Sequence, residues 1–483
     1  MKSEEIMEIC MRRGFIFPSA EIYGGAAGLW DYGPLGTKMK NSWENLWRKH
    51  FLRLDPNFYE ISTTNILPKP VFEGSGHLES FNDALAECNS CHSRFRADQL
   101  IEEKLRISSE GMNLDEIKKI IKEKNLRCPR CGGDLNVKFF NLMFRLELGA
   151  GESVKEAYLR PETAQGAYLA FKRAFNILRN KLPIGLAIIG KSFRNEISPR
   201  QGFYRLREFH QAELQIFFDP DKMNEHERFD EIRKKKLRIY SIEDRGKETR
   251  EVKCEDIDLP KFYLYYMSKI QDFYLEILKL PKEMFRFREL DENERAFYNR
   301  IHWDFELNIE SLGGYKEMGG IHYRTDHDLS GHQRVSKENL MVNINGKKFI
   351  PHVLELSFGI DRNLWALLDL GYEKEEERTV LKLPVNVAPY FCAVFPLMRK
   401  EELVKKAKEL YNIISSEFST MYDETGSIGK RYRRQDEIGT PYCITIDYDT
   451  LENDTVTLRD RDTMKQERVS IKEIIEILNK KFR

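Results

Sequence analysis

The sequence contains no run of apolar residues long enough to cross a membrane. Its longest apolar run, Leu182 to Gly190, falls well short of the roughly 20 residues that a membrane-spanning helix needs. The first residues, Met1 to Arg13, mix charged with apolar side chains and contain no hydrophobic stretch typical of a secretion signal. We therefore expect a cytosolic protein that has no membrane partner.

The sequence also has no excess charge of either sign. Lys plus Arg total 78, and Asp plus Glu total 78. A protein that coats DNA through a general positive field would be basic, so that class is disfavoured, although one local basic face is enough to bind RNA. With 483 residues, of which 41% are hydrophobic, the chain is too long for one compact core and predicts two or three domains.

Cysteine is scarce, and half of it is concentrated in two C-x-x-C pairs. These pairs are Cys88 with Cys91 and Cys128 with Cys131, out of eight cysteines in all. In a reducing compartment such pairs predict a metal site before disulfides. Four thiolates suit a structural Zn²⁺, and they leave no open position for catalysis. Free thiols or a partly occupied site remain the alternatives.

Apolar spacing gives a coarse map of the chain. It predicts an amphipathic helix from Trp43 to Leu54, a Cys-bearing insertion at 84–138 and two strands joined by a polar turn within 182–218. The charge-rich segment 220–300, with helical patches such as Tyr263 to Leu280, is interpreted as an insertion or a solvent-facing helical layer. Strands are predicted again near 341–357, before a helix from about Ile360 to Leu370.

Beyond this helix the pattern changes to alternating strands and helices. Glu373 to Arg378 is interpreted as a solvated linker, and we place a domain boundary near residue 384. The pattern predicts a small α/β domain. Its predicted elements are strands at Tyr390 to Val394, Tyr442 to Asp447 and Val456 to Arg459, and helices at Glu401 to Ser416 and Ile471 to Lys480.

Two segments within 182–218 place polar side chains on one strand face. If Ile188 to Glu196 is a strand, alternate residues share a face; these are Gly190, Ser192, Arg194 and Glu196. In the returning strand, the corresponding set is Arg207, Phe209, Gln211, Glu213 and Gln215, whereas Ala212, Leu214 and Ile216 share the other face with His210. The alternation alone fits a functional face and a half-solvated antiparallel sheet equally well.

A third segment leads from a strand into a helix. Val353, Glu355 and Ser357 alternate along the strand, and Arg362 falls in the first helical turn. A cation there opposes the helix dipole, so an anion such as phosphate would stabilise it. Taken alone, an ordinary surface pair between Asp361 and Arg362 is the better interpretation.

Together these segments resemble the signature motifs of class II aminoacyl-tRNA synthetases. Ser192 to Glu196 with Arg207 to Phe209 is similar to motif 2, and Ser357 to Arg362 to motif 3. Four further stretches resemble glycyl-tRNA synthetases of the homodimeric type: Gly28 to Gly36, Leu159 to Gly166, Arg194 to Arg200 and Arg324 to Leu329. Two departures are Leu356, where the family usually has proline, and a looser stretch from Met318 to Tyr323.

The resemblance implies a fold and its boundaries. The expected architecture is an α+β catalytic core on a mainly antiparallel sheet over 1–384, followed by a C-terminal α/β anticodon-binding domain over 385–483. It also implies a homodimer, because Leu29 to Leu54 is similar to the motif 1 region, which is buried at a two-fold interface. The cluster Lys430, Arg431, Arg433 and Arg434 is a candidate for RNA phosphate contacts or, more simply, one charged helix face.

The resemblance further implies that ATP and Mg²⁺ are bound and that glycine is activated and transferred to tRNA(Gly). Because two anionic groups must meet, catalysis would rest on charge neutralisation and alignment. Arg194, Glu196 and Arg362 would be catalytic, and the ATP-binding set would add Arg205, Arg207, Phe209 and Glu355. Of these, Phe209 would stack on adenine opposite Arg362, and Glu355 would hold Mg²⁺.

Glycine has no side chain, so its site must grip the ammonium group and exclude a methyl group. The residues that match the family's glycine site are Glu162, Gln211, Glu213, Arg324 and Ser357. Two rival hypotheses are a related synthetase for serine, threonine or proline and an inactive accessory protein that binds RNA. The stretch Arg160 to Gly166 with Glu213 disfavours the first, and the retained charges of Arg194 and Arg362 disfavour the second.

Overall fold

The computed structural model describes residues 2–106, 112–197, 199, 202–296 and 298–482, with the backbone alone at Glu152. The helices are α1 (Lys2–Arg13), α2 (Pro34–Phe51), α3 (Lys69–Ser75), α4 (His77–Ser80), α5 (Ala97–Leu105), α6 (Leu114–Glu123), α7 (Ala164–Ile177), α8 (Lys261–Asp272), α9 (His327–Ser336), α10 (Ile360–Gly371), α11 (Glu401–Ser415), α12 (Ile428–Ile438), α13 (Tyr448–Asn453) and α14 (Ile474–Phe482). The strands are β1 (Ile16–Pro18), β2 (Trp30–Tyr32), β3 (Phe58–Glu60), β4 (Ile66–Pro68), β5 (Asn82–Cys88), β6 (Arg94–Arg96), β7 (Leu135–Asn141), β8 (Arg145–Leu148), β9 (Lys155–Leu159), β10 (Ile184–Phe193), β11 (Glu208–Phe218), β12 (Lys236–Tyr240), β13 (Arg250–Lys253), β14 (Phe285–Glu289), β15 (Ile301–Ile309), β16 (Gly314–Thr325), β17 (Val342–Ile344), β18 (Lys347–Phe349), β19 (His352–Gly359), β20 (Tyr372–Lys374), β21 (Thr379–Leu381), β22 (Cys392–Pro396), β23 (Thr420–Tyr422), β24 (Tyr442–Ile446), β25 (Thr455–Asp460) and β26 (Gln466–Ser470).

A nine-stranded sheet forms the platform of the larger part of the chain. Its strand order is β13-β12-β14-β15-β16-β19-β11-β10-β3. Its pairs are antiparallel except β10 with β3 and β12 with β14, so the predicted mainly antiparallel sheet is confirmed. One apolar core lies between this sheet and helices α2, α8 and α10.

Helix α2 confirms the predicted amphipathic helix and extends it towards its N-terminus. It begins at Pro34, where a proline is tolerated because the first helical N–H has no partner within the helix. Trp43 and Trp47, four residues apart, are both buried and pack edge-on against Phe358 of β19. The helix is thereby fixed against the strand that carries Glu355 and Ser357.

The segment 220–300 is not a solvent-facing helical layer, so that alternative was wrong, and the other alternative, an insertion, stays a prediction. Strands β12, β13 and β14 extend the central sheet, and α8 is buried along most of its length. The tyrosines of α8 are buried, because a tyrosine is accommodated in a core when its hydroxyl finds a hydrogen-bond partner. Tyr263, for example, donates to the Ile321 carbonyl at 2.7 Å, and Tyr274, just beyond the helix, donates to Asn363 Oδ1 at 2.6 Å.

The predicted solvated linker is a hairpin formed by β20 and β21. Arg378 is 8% exposed and pairs with Asp436 of α12 at 3.1 Å. It also pairs with Glu375. The buried charge of Arg378 is thus paired, as buried charges must be, whereas Glu373, Lys374, Glu376 and Glu377 are exposed, in line with the solvated interpretation.

The last part of the chain forms a five-stranded sheet of order β23-β22-β24-β25-β26, with its own apolar core. The predicted strands and helices of this part are confirmed to within a few residues. The boundary near residue 384 stays a prediction. Among the described residues, no helix has the length and apolarity needed to span a membrane.

The insertion at 84–138 is built on strands β5, β6 and β7, with α5 and α6 between β6 and β7. A small separate core holds it together. Helix α6 begins with a capping box in which Asn113 and Glu116 satisfy each other's backbone N–H groups. This local order brings the two C-x-x-C pairs to the same end of the unit.

Candidate active site

Strands β11, β16 and β19 form the floor of a cavity of about 230 Å³. Ten of the residues predicted from the sequence line it: Glu162, Arg194, Glu196, Arg205, Phe209, Gln211, Glu213, Glu355, Ser357 and Arg362. Arg207 and Arg324 are not among its lining residues. Lining residues that the sequence did not predict include Tyr204, Tyr298, His302, Glu317 and His322.

The polar face of β11 is enclosed rather than half-solvated. Gln211, Glu213 and Gln215 are all less than 10% exposed, so the half-solvated interpretation was wrong. Buried polar groups need partners. Glu213 accepts hydrogen bonds from Thr163 Oγ1 at 2.6 Å, Ser357 Oγ at 2.7 Å and Gln211 Nε2 at 2.9 Å.

The carboxyl groups around Glu213 have shifted pKa values. Burial, followed by the nearby charge of Glu162, raises the pKa of Glu213. Burial raises the pKa of Glu355 to about 8, although Arg324 opposes the shift. Burial also acts on Glu162, but Arg324 and His77 outweigh it and hold its pKa well below the usual range. Such a cluster favours a bound cation.

Arg324 lies beneath the cavity and is 0% exposed. Its guanidinium donates to Asp328 at 2.8 and 3.0 Å, to Glu355 Oε2 at 3.0 Å and to Glu162 Oε1 at 3.3 Å. It also lies 3.8 Å from the centre of the Tyr298 ring. These hydrogen bonds hold Glu162 and Glu355 in fixed positions in the cavity wall.

The turn after β10 departs from the expected geometry. The strand ends at Phe193, so the prediction that Arg194 and Glu196 continue its face was wrong. Arg194 still reaches the cavity. Its guanidinium lies 5.2 Å from the centre of the Phe209 ring and donates to the Pro161 carbonyl at 3.1 Å.

The two arginines near this turn have different positions. Arg205 lines the cavity, and its Nε lies 3.2 Å from Glu196 Oε2. Arg207 instead donates to the Glu196 carbonyl at 2.9 and 3.1 Å and to the Ala27 carbonyl at 2.9 Å. Of these two arginines of the predicted ATP-binding set, only Arg205 lines the cavity.

Arg362 does not pair with Asp361, so the surface-pair interpretation was wrong. Asp361 is 3% exposed and accepts hydrogen bonds from Tyr32 and from the backbone N–H of His210. Arg362 pairs with Glu317 Oε1 at 2.8 Å and lies 5.0 Å from the centre of the Tyr204 ring. Glu317 lies in β16, which pairs with β19. No local signal in the sequence reveals this pairing.

The four predicted zinc ligands converge. Their Sγ atoms all lie within 4.8 Å of one another, with Cys88 and Cys131 at 3.4 Å and Cys91 and Cys128 at 3.7 Å. A tetrahedral ZnS₄ centre with bonds of about 2.3 Å has sulfur atoms about 3.8 Å apart. The backbone N–H groups of Cys91 and Arg130 point to Cys88 Sγ and Cys128 Sγ at 3.5 and 3.4 Å, which stabilises thiolates. The set fits one metal ion.

The basic cluster of the C-terminal part divides into two kinds of residue. Arg431 is 1% exposed and donates to the carbonyls of Glu424 at 3.0 Å and Gly426 at 2.7 Å. Arg434 pairs with Asp423. Lys430 and Arg433 are exposed, so they alone of the four keep the predicted position for phosphate contacts.

Comparisons with known proteins agree with this geometry. Residues 144–370 match the model of the tRNA synthetase class II core domain (G, H, P, S and T), and residues 392–481 match the anticodon binding domain. The glycine–tRNA ligase of Pyrococcus furiosus is 42% identical over 98% of this chain and 98% of its own length. The glycine–tRNA ligase of Thermococcus gammatolerans is 41% identical over 98% of this chain and 97% of its own, and that of Methanococcus vannielii is 35% identical over the full length of both.

Proposed function

The chain belongs to the glycine–tRNA ligase family, and from this membership we propose how its cavity activates glycine with ATP and passes it to tRNA(Gly). The observation that carries the proposal is the environment of Glu213. Its carboxylate is 2% exposed and already holds Thr163 and Ser357 in fixed positions. A second carboxyl group, Glu162, lines the same cavity, and together they form a site for an ammonium group.

Recognition of glycine follows from what surrounds this site. Glu162, Glu213 and Ser357 take the ammonium group, Gln211 fixes one oxygen of Glu213, and Arg324 orients Glu162 and Glu355 from below. A methyl group on the substrate has to be accommodated among groups that are already hydrogen-bonded to one another. Steric exclusion therefore distinguishes glycine from alanine without a separate editing site.

ATP binds next to this site. Phe209 stacks on adenine, and Arg362 covers the base from the other side. Arg194, with its guanidinium beside Phe209, bridges the α-phosphate and the glycine carboxylate, and a planar fork suits this task. Arg205 takes the outer phosphates, Glu196 orients it from 3.2 Å, and Arg207 holds the turn that carries Glu196.

Mg²⁺ supplies neutralising charge to the phosphates when it is bound. Glu355 is the ligand implied by the family resemblance, and its Oε2 already accepts from Arg324 and Gln215. This leaves Oε1 for a cation. Glu317 contributes a second carboxylate to the cavity wall, beside Arg362.

Cys88, Cys91, Cys128 and Cys131 would hold Zn²⁺, which would have a structural role. The insertion has only a small apolar core, so a metal contributes to its folding directly. The protein is a cytosolic homodimer with an interface near Leu29 to Leu54, and its domain boundary lies near residue 384. The C-terminal domain reads the anticodon through stacking and base-edge contacts.

The test is ATP–pyrophosphate exchange with each of the twenty amino acids, with wild type, Glu213→Ala and Glu251→Ala. Glu251 lies in β13 of the same sheet and pairs with Lys282 at the surface, so its substitution is the matched control. We expect exchange with glycine alone, which Glu213→Ala abolishes and Glu251→Ala retains. Exchange with serine, threonine or proline would overturn the glycine site, and no exchange by the folded protein would favour an inactive accessory protein.

A further inference from the structure

Phe81 is an aromatic residue that the roles above leave unused, and its ring lies against the guanidinium of Arg194. The centre of this ring is 5.3 Å from Arg194 Cζ, and the centre of the Phe209 ring is 5.2 Å from the same atom. Both distances are within the roughly 6 Å at which a cation is attracted to the face of an aromatic ring. Phe209 lines the cavity and Phe81 does not, so Phe81 contacts Arg194 from outside the cavity.

Two backbone hydrogen bonds fix Phe81 relative to the turn that carries Arg194. The Leu142 N–H donates to the Phe81 carbonyl at 3.1 Å, and the Asn195 N–H donates to the Leu142 carbonyl at 2.8 Å. Asn195 follows Arg194 directly in the chain. Because these bonds use backbone groups only, a substitution at Phe81 changes the contact of its ring with Arg194 and leaves this connection in place.

The ring of Phe81 is also held by groups other than Arg194. It packs against a small apolar cluster that includes Phe72, Met143 and Tyr158, and its centre is 5.6 Å from the centre of the His77 ring. Phe81 lies between α4 and β5, the first strand of the Cys-bearing insertion. The ring is therefore a fixed surface for the guanidinium, since packing on several sides restricts its own rotation.

The task of Arg194 makes such a surface useful. In the proposed function, its guanidinium bridges two anionic groups, the α-phosphate of ATP and the carboxylate of glycine. A long side chain loses rotamer freedom when it is fixed in one geometry, and this loss is smaller when the side chain is already held. The Pro161 carbonyl holds Arg194 Nε at 3.1 Å. Of the two rings, Phe209 also has to receive the adenine, whereas the proposed function gives Phe81 no other partner.

We propose that Phe81 is a positioning residue for glycine activation, which holds the guanidinium of Arg194 in the orientation that receives the α-phosphate. The face of the ring attracts the cation and restricts its rotation before the substrates bind. The inference rests on the proposed function, because it takes the role of Arg194 from there. It assigns part of the support of the nucleotide site to the base of the insertion, from which β5 leads to Cys88.

The test is a double-mutant cycle on the affinity for a non-hydrolysable sulfamoyl analogue of glycyl-adenylate, measured by calorimetry. We expect Phe81→Leu to raise the Kd roughly 2- to 30-fold when Arg194 is present, the range of one contact between a cation and a ring. In an Arg194→Ala background the same substitution changes the Kd less than about twofold, because the contact is already missing. Phe81→Tyr, which keeps the ring, retains the affinity of wild type to within about threefold.

Phe139→Leu is the matched control. Phe139 lies in β7 of the same insertion, is 57% exposed and does not line the cavity, so its substitution leaves the Kd unchanged. Phe81→Met takes the place of Phe81→Leu if the latter does not fold, since methionine also fills the space without a ring.

Three results would overturn the positioning role while glycine-dependent pyrophosphate exchange by wild type still supports the proposed function. These are an unchanged Kd in Phe81→Leu, an equal loss of affinity with and without Arg194, and a loss in Phe81→Tyr as large as that in Phe81→Leu. The second result would mark Phe81 as a residue that only stabilises the fold. Absence of glycine-dependent exchange in wild type would overturn both the inference and the proposed function.

Discussion

Replacing Arg324 with methionine removes the one guanidinium that Glu162, Glu355 and Asp328 share. The three carboxyl groups accept from it at distances of 2.8 to 3.3 Å, and its side chain is 0% exposed. Methionine fills similar volume, so the cost comes mainly from leaving buried carboxylates unpaired. Breaking a buried ion pair by removing one partner costs about 3–5 kcal/mol. We expect the free energy of unfolding to fall by that amount near neutral pH.

The loss of unfolding free energy in Arg324→Met depends on pH, and the pKa of Glu162 sets the direction of this dependence. Its folded pKa lies well below the ordinary value of 4.5 because Arg324 and His77 outweigh burial. A lowered pKa contributes stability above the unfolded pKa, and this contribution is lost as pH falls through the folded pKa. In Arg324→Met the stabilising cation is missing, so the deficit relative to wild type is largest above about pH 5. It shrinks at lower pH, where the carboxyl groups become protonated.

The assay is urea unfolding of wild type, Arg324→Met and Arg48→Met at several pH values. Arg48 pairs with Glu60 at the surface, where both side chains are about one-third exposed. An exposed pair contributes about 0–1 kcal/mol, so Arg48→Met controls for the loss of an arginine. The reasoning would be refuted if the free energy of unfolding of Arg324→Met were less than about 1 kcal/mol below that of wild type, or if the difference stayed constant from pH 4 to pH 8.

Four further predictions follow from the site. Phe209→Leu raises the KM for ATP about tenfold and leaves the KM for glycine within twofold, since base stacking contributes about 1–3 kcal/mol; equal changes in both constants would contradict the stacking role. Cys128→Ser lowers bound zinc, measured by atomic absorption, below one ion per chain and lowers the melting temperature, whereas Cys254→Ser, buried elsewhere, keeps the metal. Glu355→Gln removes exchange activity but costs less stability at pH 8 than Arg324→Met, because burial already raises the pKa of Glu355 to about 8 and its ionised form is disfavoured. Sedimentation at micromolar concentration yields twice the chain mass of 57.1 kDa, and a monomer would contradict the proposed interface.

Local periodicity predicted the parts of the site that lie on single strands. The alternation of Phe209, Gln211 and Glu213 fixes them on one face of β11 in any antiparallel sheet. The same reasoning failed at Arg194 and Glu196, because the strand ends at Phe193 and no residue type marks that end. Glu317 and His322 could not be predicted, because their place in the cavity depends on the pairing of β16 with β15 and β19.

The error at 220–300 has a related cause. Charged residues between tyrosines resemble an exposed amphipathic layer, but the hydroxyls of Tyr263 and Tyr274 find acceptors inside the protein. Only the tertiary structure supplies those acceptors. The burial of Arg378 could not be predicted for the same reason, since Asp436, its partner, is distant in the sequence.

The buried pair between Arg378 and Asp436 has a mechanical consequence. Arg461 donates to the Leu383 carbonyl at 3.0 Å and the Gly439 carbonyl at 2.8 Å, and Arg12 of α1 lies 3.2 Å from Glu437. Of these contacts, Arg378 with Asp436, Arg461 with Leu383 and Arg12 with Glu437 join the part of the chain before residue 384 to the C-terminal part. These contacts restrain the position of the C-terminal sheet relative to the cavity.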